Sequence, residues 1–470
     1  MDLPGVRGHD RLTRILCGVA RNPSAPPEVV RRLLRLPVTA RVVARHRPDL
    51  TGEQTDAILA LGDVESAVAL ASNQQSPLPV RWRLAAHPDP RVRSAVAGPA
   101  LPVTLFKRLA ADPDTAVRCS VAGHDRTPDD VHLRLALDPA PQVRQAVAER
   151  WRRAPEPVRR ALLTDPHPGV RAAALSPGHP APPPDLHAPL LADEATRHLM
   201  VPHVELTDAL AADLADAPAP VRVELAGRRD LPTAVRDQLA TDTYLDVRLR
   251  LLLNPDVPDD LRTRLLADLD AEDRFSKRFI VAQHLANAWQ DMAWLRNAPL
   301  PERLAYLDSP HPWFRQAVAA SPDLPRDAID RLLADPDVRT RQITAKHHDV
   351  PGEALERLVL DHGDLLHVHP LLVNHPSFPA DAFTRLARSD STIARLLALH
   401  GSDLPTGLVD HLLDDPELEI RRAAARHPNV PMRRLPALLT GPDPDMAESA
   451  GAAPAMPPGW FPRLLAECGL

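Results

Sequence analysis

The chain has 470 residues, a quarter of them charged, and a formal net charge of −6. Its three cysteines, Cys17, Cys119 and Cys468, are too scattered for a disulfide framework or a zinc spacing, and no apolar run approaches the length of a membrane span. The acidic balance argues against a general nucleic-acid binder, although residues 1–110 hold 16 Lys and Arg against 9 Asp and Glu.

Residues 1–9 read as a short lead. From about residue 10 the chain repeats itself, and the stretch Asp112–Pro139, DPDTAVRCSVAGHDRTPDDVHLRLALDP, shows the unit most clearly. Asp112-Pro113 reads as a helix start, with the carboxylate as N-cap and the proline just inside. Val117, Ser120 and Val121 fall on one narrow helical face. Gly123-His124 breaks that helix, and Pro128 starts a second one carrying Val131 and Leu135. Neither helix is long enough to stand alone. Each must bury its stripe against the units on either side, which predicts a solenoid.

The arginine after the valine measures the period. It recurs at Arg41, Arg93, Arg118, Arg144, Arg171, Arg197, Arg222, Arg248, Arg278, Arg315, Arg341 and Arg421, with Leu16, Glu65, His369 and Ala394 in the same slot of degenerate units. A proline stands ten residues later, for example at Pro26, Pro128, Pro232, Pro325 and Pro431. A leucine follows seven beyond that, at Leu33, Leu135, Leu239, Leu332 and Leu438. The expected fold is all-α: a curved solenoid of about sixteen short two-helix repeats of roughly 24–28 residues, with a concave inner face.

Along the chain, residues 1–269 form an N-terminal array. Within it the proline-rich stretch 176–189 is expected to replace a second helix. The step then lengthens between Arg248 and Arg315. This insertion, taken as 270–313, holds Trp289, Trp294 and Trp313, three of the six tryptophans, and a helix longer than its neighbours. A C-terminal array follows at 314–440. The tail, 441–470, reads as irregular, with Trp460, Phe461, Leu464 and Leu465 folding back as a cap.

The DP…VR…AVA…(N/H)P…P…L frame resembles the leucine-rich repeat variant family, bacterial solenoids of paired short helices, over roughly residues 10–440. HEAT-type repeats are similar. The resemblance implies a fold rather than an activity. Some members of that family carry a four-cysteine iron–sulfur module, which the three cysteines here do not supply, so no cofactor is implied.

Candidate sites follow from the same frame. An in-phase row of arginines at Arg41, Arg93, Arg118 and Arg144 has the geometry to grip carboxylates or phosphates bidentately. The competing reading ties each arginine to the aspartate of a neighbouring D-P. The histidines between His347 and His375, His367-x-His369 above all, have a metal-rich look. However, His124, His203, His347, His375, His400 and His427 all fall six residues after the arginine slot, where Asn22, Asn254 and Ser321 also stand, which marks a hydrogen-bonding turn instead. The tryptophans of the insertion form either an exposed binding platform or filler between misaligned helices. No nucleophile elbow, phosphate loop or paired zinc motif is present. The expectation is a non-catalytic, cytoplasmic scaffold for a protein or peptide partner, acidic in character. The alternative is nucleic-acid binding or a HEAT-like DNA-repair glycosylase with a basic groove.

Overall fold

A computed structural model describes residues 9–98, 101–270, 275–364, 371–467 and 470. Among them every regular element is helical and no strand occurs. No described helix is long and apolar enough to cross a membrane.

The unit at 112–139 shows why the helices form. Asp114, not Asp112, is the N-cap of helix Thr115–Ala122, accepting from the N–H groups of Ala116 and Val117. Val117, Val121 and Ala122 are fully buried, whereas Ser120 stays half-exposed. Pro128 caps helix Asp129–Leu135, which buries Val131 and Leu135. Burying one such leucine or valine is worth about 1.5–3 kcal/mol, and the burial comes from neighbours. Helix Thr115–Ala122 packs on Pro90–Ala95 of the repeat before and Pro141–Arg150 of the repeat after.

The proline-rich stretch keeps its second helix. A 3-10 turn, Pro184–Leu186, leads into helix His187–Ala192, so the prolines lengthen the loop before the helix instead of replacing it.

The repeats divide into two compact units: residues 81–288, and residues 1–80 together with 289–470. The predicted long helix, Phe275–Asn287, belongs to the first of these units. Trp289, Trp294 and Trp313 belong to the second, where helices Ala293–Arg296 and Leu300–Ala305 make a short repeat of their own.

The second unit joins the start of the chain to its end. Helix Pro444–Gly451 packs along helix His9–Arg21, and Phe461–Glu467 packs on both His9–Arg21 and Pro27–Leu33. The tail is thus not irregular. Asp443 N-caps helix Pro444–Gly451, with Pro444 at its start. Ala447, Pro457 and Leu464 continue all three periodic slots of the frame. Trp460, Phe461, Leu464 and Leu465 are buried as the sequence predicts.

The contact between chain ends repeats the ordinary contact between neighbours. Asn73 Nδ2 donates to the carbonyls of Ala44 and Arg47, and Asn254 Nδ2 to those of Ala226 and Arg228. Asn22 Nδ2 makes the same pair of bonds to Gly451 and Ala453. The first repeat treats the last as its predecessor. The two helices cross glycine to glycine: a methyl group on Gly18 would overlap the Glu448 carbonyl, and one on Gly451 would press on Ile15.

Gly18→Val is therefore expected to lower stability by about 3 kcal/mol through overpacking. Gly52→Ala, at a helix start with open space around it, should be neutral or stabilising by up to about 1 kcal/mol. Urea unfolding of both variants checks this; equal effects would remove the tight end-to-end crossing.

Candidate functional site

The arginine row resolves into a ladder. The Arg118 guanidinium grips Asp138 of the next repeat, Nε to Oδ2 at 2.7 Å and Nη2 to Oδ1 at 3.0 Å. Its Nη1 turns back to the carbonyls of Asp112 and Pro113. The same rung recurs as Arg93–Asp112, Arg144–Asp165, Arg171–Asp193, Arg222–Asp242, Arg315–Asp335 and Arg395–Asp415. The D-P aspartate is the rung carboxylate, which is why it does not cap its own helix. Arg395 rather than Ala394 carries the rung in its repeat, and Asp63 caps a helix whose third turn slot places Ala67, not Glu65, in phase with Asn73.

Burial alone would raise the Asp138 carboxyl. The Arg118 hydrogen bonds, the Ala140 N–H and the nearby guanidinium charges outweigh it and hold the group below its ordinary value. Asp112, Asp165, Asp242 and Asp415 are shifted the same way by the same balance.

Three of the four arginines singled out from the sequence are therefore committed to the fold. Arg93, Arg118 and Arg144 are 13–15% exposed and spend their donors on the ladder. Arg41 is freer, half-exposed, with Asp63 at 3.6 Å.

Of the tryptophans, Trp313 is buried and stacks on His311 at 4.8 Å, so it is not part of an exposed platform. Trp294 packs edge-on against Tyr306 and Phe314. Both fill the gap beside a short repeat. Trp289 is half-buried, with Arg296 and Lys346 each near 5.8 Å of its ring centre.

The histidine slot is a turn. His427 Nδ1 accepts from the Asn429 N–H while its Nε2 meets the Gly401 carbonyl of the repeat before; His375 bridges in the same way, and His347 Nε2 meets the Ala319 carbonyl. His367 and His369, Cys468 and the side chain of Arg278 lie outside the described residues. Among the described residues no three His, Cys, Asp or Glu side chains gather at a metal-sized site.

Sequence reasoning missed a groove. It runs where the chain ends meet, over helices Thr392–Ala398, Leu418–Ala425, Pro444–Gly451 and His9–Arg21. One part, of about 620 Å³, is lined by Leu396, Leu399, His400, Arg422, Arg426 and His427. It continues through Arg422, Arg426 and Ser449 into a part of about 320 Å³ that adds Arg14, Arg21, Asp445 and Glu448. Arg14 and Arg21 pair with Glu448, and Arg422 with Asp443 and Asp445. Arg426 is exposed and has no partner among the described residues. Burial, then the charges of Arg21 and Arg45, pushes His46 down; burial, then Arg426, does the same to His400. The signal for this groove lay in the continuation of the frame to Ala447, Pro457 and Leu464.

No family model matches the chain, and no curated protein does. Among solved structures, a crystal structure of an engineered protein aligns over 90% of this chain and 98% of its own, at 14% identity and a TM-score of 0.15. A likeness that weak carries no argument about function.

Two outcomes follow from the ladder. Arg118→Met strands a buried carboxylate and should cost about 3–5 kcal/mol, most of it recovered in Arg118→Met/Asp138→Leu; a double-mutant cycle in urea measures this. The pH dependence has one sign. The rung aspartates titrate lower folded than unfolded, so their contribution is present above about pH 4 and lost as pH falls through the folded values. His132 and His427 are also lowered, chiefly by burial, so stability should begin to decline below about pH 6.5. A flat urea midpoint from neutral to acid pH would contradict both.

Proposed function

We propose that the chain is a non-catalytic repeat scaffold that binds an acidic segment of a protein or peptide in the groove where its ends meet. The observation that carries this reading is the groove itself. Leu396 and Leu399 offer apolar contact beside the guanidinium groups of Arg14, Arg21, Arg422 and Arg426. Arg426, left over when the internal ion pairs are formed, is the group a carboxylate would meet first. The basic balance of the first 110 residues supports the same partner, since a local positive field steers acidic ligands. The interleaved Asp445, Glu448 and Glu419 weigh against a nucleic-acid backbone, which offers negative charge without interruption.

The repeat frame also supports membership of the leucine-rich repeat variant family as our reading of its ancestry. Trp289, with two cations beside its ring, is an aromatic contact available to a partner.

Fluorescence anisotropy tests this with a labelled Asp/Glu-rich peptide, a neutral peptide of equal length and a labelled DNA duplex. The acidic peptide should bind best, and Arg426→Glu should weaken it about tenfold or more while leaving thermal stability unchanged. Equal binding of acidic and neutral peptides, or tighter binding of DNA, would overturn the reading.

A further inference from the structure

At Arg341, as at Arg421, a rung of the ladder lacks its carboxylate. Arg341 makes the usual backward bonds from Nη1 to the carbonyls of Asp335 and Pro336. Its other edge, which in Arg315 and Arg395 grips an aspartate through Nε and Nη2, meets only the His362 imidazole, Nη2 to Nε2 at 2.7 Å. Arginine has no acceptor, so the imidazole nitrogen accepts here with its single lone pair. Nε has no partner among the described residues.

The cause is a longer second helix. Gly352–His362 runs for 11 residues, against 8 for Arg326–Leu333 in the repeat before. The extra turn carries the chain past the rung position and ends at Gly363, whose φ of 74° few other residues adopt. The next carboxylate, Asp364, is buried elsewhere and accepts from the N–H groups of Leu371, Leu372 and Val373. The rung that seven other repeats fill from within is left open here.

A cavity of about 200 Å³ lies at this place, lined by Arg341, Arg357, Asp361, His362, Leu333 and Leu358. Arg357 is exposed and unpaired among the described residues. We propose that this cavity is a carboxylate-binding site in which the ligand supplies the missing rung. The ligand carboxylate takes the Nε–Nη2 edge of Arg341, the exposed imidazole of His362 turns aside, and Arg357 adds a second cation. Leu333 and Leu358 take up a short hydrocarbon stem; the space is that of about six or seven water molecules. Asp361 sets the charge preference. Two guanidinium groups against one fixed carboxylate favour a monoanion over a phosphate dianion. The site uses residues 333–362 and shares none with the groove at the chain ends, so it stands whether or not that groove binds a partner.

The test compares butyrate, inorganic phosphate, and a short apolar peptide with a free C-terminal carboxylate against its amide. Binding to the full chain is read by isothermal titration and ligand-observed NMR. Butyrate or the peptide acid should bind, the amide and phosphate more weakly. Butyrate alone marks a small free carboxylate, the peptide acid alone a chain terminus, and either supports the site. His362→Asp supplies the rung from within; it should reduce carboxylate affinity about tenfold or more while keeping or raising the melting temperature. Arg357→Gln should weaken binding with no loss of stability. The proposal is overturned if wild type takes up neither carboxylate, if the amide or phosphate binds as well, or if His362→Asp binds like wild type.

Discussion

The bidentate pair between one repeat's arginine and the next repeat's aspartate is the contact on which the stack depends. Helices of seven or eight residues are unstable alone, and their apolar faces are too narrow to specify a neighbour's register. The rung supplies that register. Guanidinium geometry matters here: two parallel donors hold the carboxylate while a third side of the same group ties the preceding loop. A lysine offers one point charge and no fork. Desolvation works against such a pair, and only this complete set of bonds offsets it.

This division of labour explains what was legible in the sequence and what was not. Valine, proline and leucine slots announce the repeat because each marks a helix face or a helix start. The rung partners are harder to read, because an aspartate before a proline looks like a cap whether or not it is one. Asp112 and Asp114 both suit the N-cap role, and only the pull of Arg93 on Asp112 leaves the cap to Asp114. The phase was also misplaced at Ala67, where the prominent Glu65 is not the periodic position, and by one residue at Arg395, where the slot was counted to Ala394. The final repeat went unread because Ala447 stands where arginine was sought, though Pro457 and Leu464 keep phase behind it. The burial of Trp313 was likewise beyond reach, since composition tells a filler from a platform only once the neighbouring helices are placed.

The meeting of the chain ends follows from the same logic. A stack of repeats has two raw faces, and terminal repeats ordinarily cover them with polar side chains. Here the faces of residues 9–33 and 444–467 are apolar and complementary, so each covers the other. Asn22 finds in Gly451 and Ala453 the carbonyls that Asn73 finds one repeat back. Without a rung arginine at Ala447, the ion pairs shift outward to Arg14, Arg21 and Arg422. That outward shift is what lines the groove with charge.

Regular repeats consume their own chemistry. Where the rung is complete the arginine has its aspartate, and the turn asparagines have their carbonyls, so little is left there to meet a ligand. Both proposed binding sites therefore lie where the period fails. At the chain ends the failure is a missing arginine, which leaves Arg426 and its neighbours facing outward. At Arg341 it is a missing carboxylate, which leaves a guanidinium edge facing a cavity. The same repeat that makes most of the chain chemically silent defines, by its departures, the groups that are free to act.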